Sequence, residues 1–141
     1  MRKLASLLTG LLLVSGLAFA QNTELALAEG DDGHYLVDVD GQALYLFLPD
    51  NQRFSTCNDE CLTDWEPVEL VGGIAIGDGL SIALVGTIER EDGTIQVTYN
   101  LWPLYRYVGD VNGEPQGHGL DDSWYLVTGE GNALGLETDG E

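Results

Sequence analysis

The sequence predicts an all-β fold: a small sandwich or barrel-like antiparallel sheet built from two related β-rich repeats, with one short disulfide-closed turn. Three observations carry this. Apolar residues alternate with polar ones in short runs, as in Tyr35, Val37 and Val39 or Ile95, Val97 and Tyr99, the period of half-buried strands. No segment after residue 20 sustains a 3.6-residue period. The third is a duplication, since Leu44, Tyr45, Phe47 and Asp50 recur as Leu104, Tyr105, Tyr107 and Asp110. Trp65 and Trp124 follow the two aspartates by 15 and 14 residues, so the likeness extends well beyond the short core.

In chain order, residues 1–20 read as an export signal. Arg2 and Lys3 start it, Leu4 to Leu17 form its apolar stretch, and Ala18-Phe19-Ala20 supplies the small-x-small cleavage site. Residues 21–33 read as an acidic lead-in, 34–128 as one β domain with repeats at about 34–71 and 82–128, and 129–141 as a mobile, glycine-rich acidic tail. Within the domain, Tyr35 to Val39 and Ala43 to Leu48 form two strands joined by Asp40-Gly41, a tight-turn pair. On the return strand Tyr45 and Phe47 share one face, and Leu44, Leu46 and Leu48 the other. Both faces are therefore covered. Further strands are expected at Val68 to Val71, through Ile82, Leu84 and Ile88, at Ile95 to Tyr99, at Leu104 to Val108 and at Trp124 to Val127. Arg106 replaces Leu46 in the second copy and makes that face more polar. Asp110 to Ser123 reads as a long surface loop.

Charge narrows the possible partners. The chain has 24 Asp and Glu against 5 Lys and Arg, a formal charge of −19. Loss of the leader removes Arg2 and Lys3, which leaves Arg53, Arg90 and Arg106 and a charge of −21. Such a surface repels phosphate backbones and anionic lipid headgroups, which disfavours nucleic acids and anionic membrane surfaces. Cations and cationic partners remain, and an acidic coat also suits a salty medium.

Cys57 and Cys61 are expected to pair, because an exported protein matures in an oxidising compartment. Side chains four apart on a regular helix stand about 5–6 Å apart at Cβ, whereas a disulfide needs about 3.5–4.5 Å. Cys57 to Cys61 is thus a distorted turn that opens a short helix toward Trp65.

These motifs resemble a bacterial secreted-repeat family of lipoproteins of unknown function marked by a Tyr-x-aromatic-x-x-Asp motif. The resemblance runs from about Tyr35 to Val127. It rests on the two L-Y-x-[FY]-x-x-D cores, on Cys57, Cys61, Trp65 and Pro67, on Arg90 to Asn100, on Pro103 to Tyr105, and on G-x-G before Trp124-Tyr125. Two departures stand out: no lipid-attachment cysteine follows the leader, and the stretch between Asp110 and Trp124 has no cysteine. The resemblance implies export and supplies no activity.

As chemistry, the paired motifs admit two readings. The aromatics and carboxylates of both copies could line one shared groove on which a ligand stacks. The preferred reading is that they fill the core, with Trp65 and Trp124, while Asp50 and Asp110 cap turns. The acidic turns Asp38-Val39-Asp40-Gly41 and Asp110 to Glu114, with Asn112, offer oxygens to a weak divalent cation. Neither has the spacing of a full calcium loop. Cys57 and Cys61 with His34 and His118 are a remote zinc possibility, and the three-residue cysteine gap argues against a redox C-x-x-C. Hydrolytic motifs are absent, as is a phosphate loop. The resulting expectation is a non-catalytic exported envelope module that binds or supports, needs no cofactor, and has an unidentified envelope or extracellular partner. A divalent-cation-binding protein and a thiol- or metal-dependent redox protein using Cys57 and Cys61 are the alternatives.

Overall fold

A computed structural model describes residues 22–51 and 54–136. The expected leader at 1–20, Arg53 and the end of the tail at 137–141 lie outside the described residues.

The fold is all-β. Strands run β1 (Thr23–Gly30), β2 (Gly33–Val37), β3 (Tyr45–Phe47), β4 (Trp65–Pro67), β5 (Ile74–Ile76), β6 (Val85–Glu89), β7 (Ile95–Tyr99), β8 (Trp102–Pro103), β9 (Tyr105–Tyr107) and β10 (Trp124–Leu126), with one helical turn, α1 (Cys61–Asp64). They form three sheets, in the orders β2-β1-β5, β10-β3-β9-β4 and β6-β7-β8. Every pairing is antiparallel except β5 on β1.

The central sheet shows how the duplication is used. Its order takes strands alternately from the second, first, second and first copies, so neither repeat is a separate body. Tyr45 faces Tyr105 across β3 and β9 at the middle. Outward on either side, Phe47 pairs with Trp124 and Tyr107 with Trp65. A pseudo-two-fold axis therefore passes between the two tyrosines. The outer sheets obey the same relation, with hairpin β1-β2 matching hairpin β6-β7. Backbone bonds knit them to the centre in equivalent ways: Leu44 N–H donates to Leu36 O at 2.9 Å and Leu104 N–H to Val97 O at 3.1 Å, while Leu36 N–H reaches Val127 O and Val97 N–H reaches Val68 O, both at 2.8 Å.

Alternation along β3 and β9 sorts the core into two parts. Tyr45 and Tyr105 point into an aromatic cluster with Cys57, Trp65 and Trp124. Leu44, Leu46 and Leu104 point the other way, into an aliphatic cluster with Leu36, Val68, Val97 and Val127. Both faces of β3 are covered, as its sequence requires.

Six expectations need correction. The strand expected at Val68 to Val71 lies earlier, at Trp65–Pro67, with only Glu69 bridging to Gln96, and the strand expected to reach Val39 ends at Val37 and leaves Val39 exposed. The acidic lead-in is strand β1, the middle of its sheet, with Leu25 and Leu27 in or against the aliphatic cluster and Ala26 and Ala28 against the aromatic one. Its Leu/Ala alternation has little polar contrast because both faces are packed. Ile82–Leu84 is a 3₁₀ turn and the strand starts only at Val85. Gly77 and Gly79 precede that turn, and Ser81 N–H is held by the Tyr99 hydroxyl at 3.1 Å. The segment 110–123 is not a plain surface loop, since it bears a 3₁₀ turn at Leu120–Asp122 and brings buried Gly117 against the ring of Trp65. The tail is anchored as far as Leu134, which is buried and donates its N–H to Leu126 O at 2.8 Å.

Cys57 and Cys61 form the expected disulfide across Cα atoms 5.2 Å apart. The turn it closes is distorted at Asp59, where φ is 51°, and α1 follows directly from it. Replacing both cysteines with alanine will lower stability by roughly 2 kcal/mol on the loop-entropy argument. Urea unfolding of the double variant checks this, and an unchanged midpoint would show that the closure contributes nothing.

Candidate functional site

The aromatic cluster is where the repeated residues meet. Strand β3 aims Tyr45 inward and β9 aims Tyr105, while β4 and β10 each lead with a tryptophan. Trp65 and Trp124 lie face to face at the pseudo-axis, 3.6 Å between centroids and 1° from parallel. Phe47 stacks on Trp124 at 4.2 Å and Tyr107 on Trp65 at 4.4 Å. The result is a column of four rings, each copy's outer aromatic lying on the other copy's tryptophan. Tyr45 meets Trp65 edge-on at 5.1 Å and Tyr105 meets Trp124 likewise at 5.1 Å, the T-shaped geometry that suits ring quadrupoles.

The two phenols are satisfied across the copies. Tyr45 Oη donates to Asp110, with its oxygens at 2.9 and 3.0 Å, and accepts Gly117 N–H at 3.1 Å. Tyr105 Oη donates to Asp50 Oδ2 at 2.6 Å and also touches Ser55 Oγ. Each aspartate serves its own loop as well. Asp50 Oδ1 accepts Thr56 N–H at 2.7 Å, and Asp110 Oδ1 accepts Gln116 N–H at 2.7 Å, six residues on in both cases. Asp50 and Asp110 therefore cap turns and hold the opposite copy's tyrosine at once.

Burial sets the electrostatics. Desolvation pushes both the Asp50 and Asp110 carboxyls above their ordinary value of 3.8, although hydrogen bonds from Tyr105 and Thr56 to one, and from Gln116 and Tyr45 to the other, pull them down. Burial also raises Tyr45 and Tyr105 well above the usual phenol range, helped by the adjacent carboxylates. Both phenols stay protonated. His118 moves the opposite way, since burial holds its imidazole below 6.5 against the pull of Asp32. Its Nδ1 accepts Leu126 N–H at 3.1 Å, a role for the neutral ring.

The remaining sequence-selected oxygens do not converge. Asp38 is buried, accepts the N–H groups of Asp40 and Gln42, and takes Arg106 Nε at 2.6 Å; Asp40, Asn112 and Glu114 are exposed on turns. Among the described residues no three His, Cys, Asp or Glu side chains come close enough to hold a metal ion. Among the described residues the rings that would line a shared groove stack on one another instead.

Residues that sequence reasoning passed over complete the cluster. Arg90 is buried, with Nη1 on Gln96 Oε1 at 2.7 Å and Nη2 on Cys57 O at 2.8 Å, and Gln96 Nε2 passes the link to Leu104 O at 2.8 Å. In the other copy the position of Arg90 falls to Gly30, beside an acidic cavity of about 340 Å³ lined by Glu29, Asp31, Asp32, Glu114 and His118. Gly117, matching Cys57, admits the edge of Trp65, where a Cβ would come within 2.7 Å of the ring. Aligning the two copies beyond their tyrosine cores would have exposed both pairs.

Residues 26–69 and 86–128 each match the family described as a secreted repeat of unknown function, together more than half of the chain. The protein belongs to that secreted-repeat family, with two copies. No curated protein and no solved structure matches it.

Crossed hydrogen bonding predicts a definite coupling pattern. In double-mutant cycles, Tyr45→Phe couples to Asp110→Asn by about 0.5–3 kcal/mol and not to Asp50→Asn, and Tyr105→Phe couples the reverse way. Coupling of Tyr45 to Asp50 instead would refute the exchange.

The pH dependence follows from the shifts. Native Asp50 and Asp110 hold protons that the unfolded chain has released, so their contribution to stability falls as pH rises from 3.8 through their native pKa values. Native His118 holds fewer protons than unfolded His, so its contribution is present above pH 6.5 and is lost as pH falls through its native pKa. His118→Asn, which copies Asn58 of the first repeat, should flatten the stability profile just below pH 6.5 and leave the carboxylate window unchanged. Urea midpoints at stepped pH values measure both.

Proposed function

We propose that this protein is an exported, non-catalytic module of the bacterial cell envelope that works through its surface, as a binding or structural component. The observation that supports it most is the fate of the repeated motif: Tyr45, Tyr105, Trp65, Trp124, Asp50 and Asp110 all bond or stack with one another. Residues spent in this way build the domain and are not themselves free to react with a substrate. Secretion of the family agrees with export. Cleavage after Ala20 gives a mature chain beginning at Gln21, in the periplasm or outside the cell, without a cysteine there for a lipid. Among the described residues no helix is long and apolar enough to cross a membrane. The acidic surface favours a cationic envelope or extracellular partner over nucleic acid or anionic lipid.

Expression of the full chain in a bacterial host, with fractionation and mass measurement, tests export: a product starting at Gln21 outside the cytoplasm is expected, and uncleaved cytoplasmic protein would overturn it. The purified protein should bind immobilised polylysine in a salt-sensitive way and ignore duplex DNA and anionic vesicles. Thermal unfolding with calcium, zinc and sodium salts at matched ionic strength should give equal shifts through screening. A shift specific to calcium would replace this reading with the divalent-cation one, because native-state ligands stabilise by RT ln(1 + [L]/Kd).

A further inference from the structure

We propose that the four-ring column and its two hydrogen-bonded tyrosines form an internal one-electron relay, which moves an oxidising equivalent from the surface to Tyr45 or Tyr105 and passes the phenolic proton to Asp110 or Asp50. This goes beyond the envelope-module reading and does not depend on it.

Three features of the geometry carry the inference. The first is continuity. Phe47, Trp124, Trp65 and Tyr107 stack with centroids 4.2, 3.6 and 4.4 Å apart, and the outer two rings are half-buried while the tryptophans are buried. Two parallel indoles in contact share a positive hole better than either alone. The second is that each tyrosine touches this pair, Tyr45 on Trp65 and Tyr105 on Trp124, both at 5.1 Å. The third is the proton acceptor. A phenol that loses an electron becomes a very strong acid, so its oxidation is easy only when a base already holds the hydrogen. Both inner phenols have a carboxylate oxygen within 2.6 to 3.0 Å. The hydroxyl of Tyr107 has no carboxylate partner among the described residues, which makes the inner pair the sink.

The chemistry balances with one co-reactant, a small one-electron oxidising radical. It takes one electron from the Trp65–Trp124 pair through the half-buried outer rings stacked on it, becoming an anion and leaving an indole radical cation. An electron from Tyr105 then restores the indole. In the same step the Tyr105 O–H bond breaks and an O–H bond forms on Asp50, giving a neutral phenoxyl radical beside a neutral carboxyl group. Tyr45 and Asp110 do the same on the other side. The pseudo-axis makes the two exits equivalent in geometry, and they differ in environment: Ser55 Oγ meets one phenol and Gly117 N–H the other.

Pulse radiolysis of the Trp102→Phe variant, which leaves the stacked pair as its only indoles, with the azidyl radical tests this. In that protein the indolyl absorption should give way to the phenoxyl band at a rate independent of protein concentration and slower in D₂O. An indolyl signal that persists, or that converts in proportion to protein concentration, overturns the relay. Asp50→Asn/Asp110→Asn should slow the conversion by roughly a hundredfold, the usual worth of a positioned proton acceptor. Conversion at the native rate in that variant, with near-ultraviolet circular dichroism showing the native fold, overturns it too. Tyr45→Phe/Tyr105→Phe retains every ring and should abolish most of the phenoxyl yield; an undiminished yield would place the radical on other tyrosines and refute the assignment.

Discussion

The crossed pairs Tyr45–Asp110 and Tyr105–Asp50 are the constraint from which the rest of the architecture follows. A hairpin with one short strand beside it is too small to bury an aromatic cluster alone. A buried phenol must also find an acceptor. Placing the acceptor of each copy on the other copy answers both demands, because the hydroxyl is satisfied only when the two repeats have interleaved. The alternating order of the central sheet and the exchanged ring stacking express the same exchange. Half a domain would leave one carboxylate and one phenol without their partners, which penalises it as an independent unit.

Much of this was legible in the sequence, for identifiable reasons. The Tyr-x-aromatic alternation of Tyr45 and Phe47 fixed which face of β3 is aromatic, since the period of a strand is two and admits no other arrangement. The export signal implied an oxidising compartment and hence the disulfide, and the cysteine spacing implied the distorted turn with the helical turn behind it. What could not be read was partnership between copies. Nothing in Leu44 to Asp50 says whether Asp50 answers its own tyrosine or the other one, because that choice is made by the sheet order. Strand β1 was hidden for a different reason: Leu and Ala alternate there, both apolar, while the flanking Glu24 and Glu29 made the segment look like a solvated leader. Gly117 looked like loop punctuation, although its missing side chain is what lets the Trp65 ring approach.

The positions where the copies differ show what the pseudo-symmetry leaves free. Leu46 is fully buried, whereas Arg106 at the matching place reaches Asp38 at 2.6 Å and Glu66 at 3.7 Å on the sheet's outer side. Arg90 fills the space beneath the Cys57 loop with its guanidinium. Its counterpart Gly30 instead accommodates the ring of Tyr35, which a Cβ there would meet at 2.8 Å. The disulfide restrains one of the two equivalent loops; the other is held by Gln116 and Gly117 N–H bonds and by packing. Both loops therefore converge on the same position by different chemistry, which is what a requirement on geometry rather than on residue type produces.

This distinction bears on where specificity resides. A motif whose side chains are all turned inward fixes shape and internal chemistry, and two proteins that share it need share no partner. The aromatic column, with its carboxylates, belongs to the symmetric part of the molecule and so to whatever the two repeats do together. The acidic cavity beside Gly30 and the ion pairs of Arg106 join unlike residues of the two copies, and the disulfide loop belongs to the first copy alone. The binding role proposed for this protein rests on exposed side chains, because the repeated core residues are satisfied by one another. The two kinds of residue thus divide the protein into an interior that any such duplication must build and an exterior on which this chain is individual.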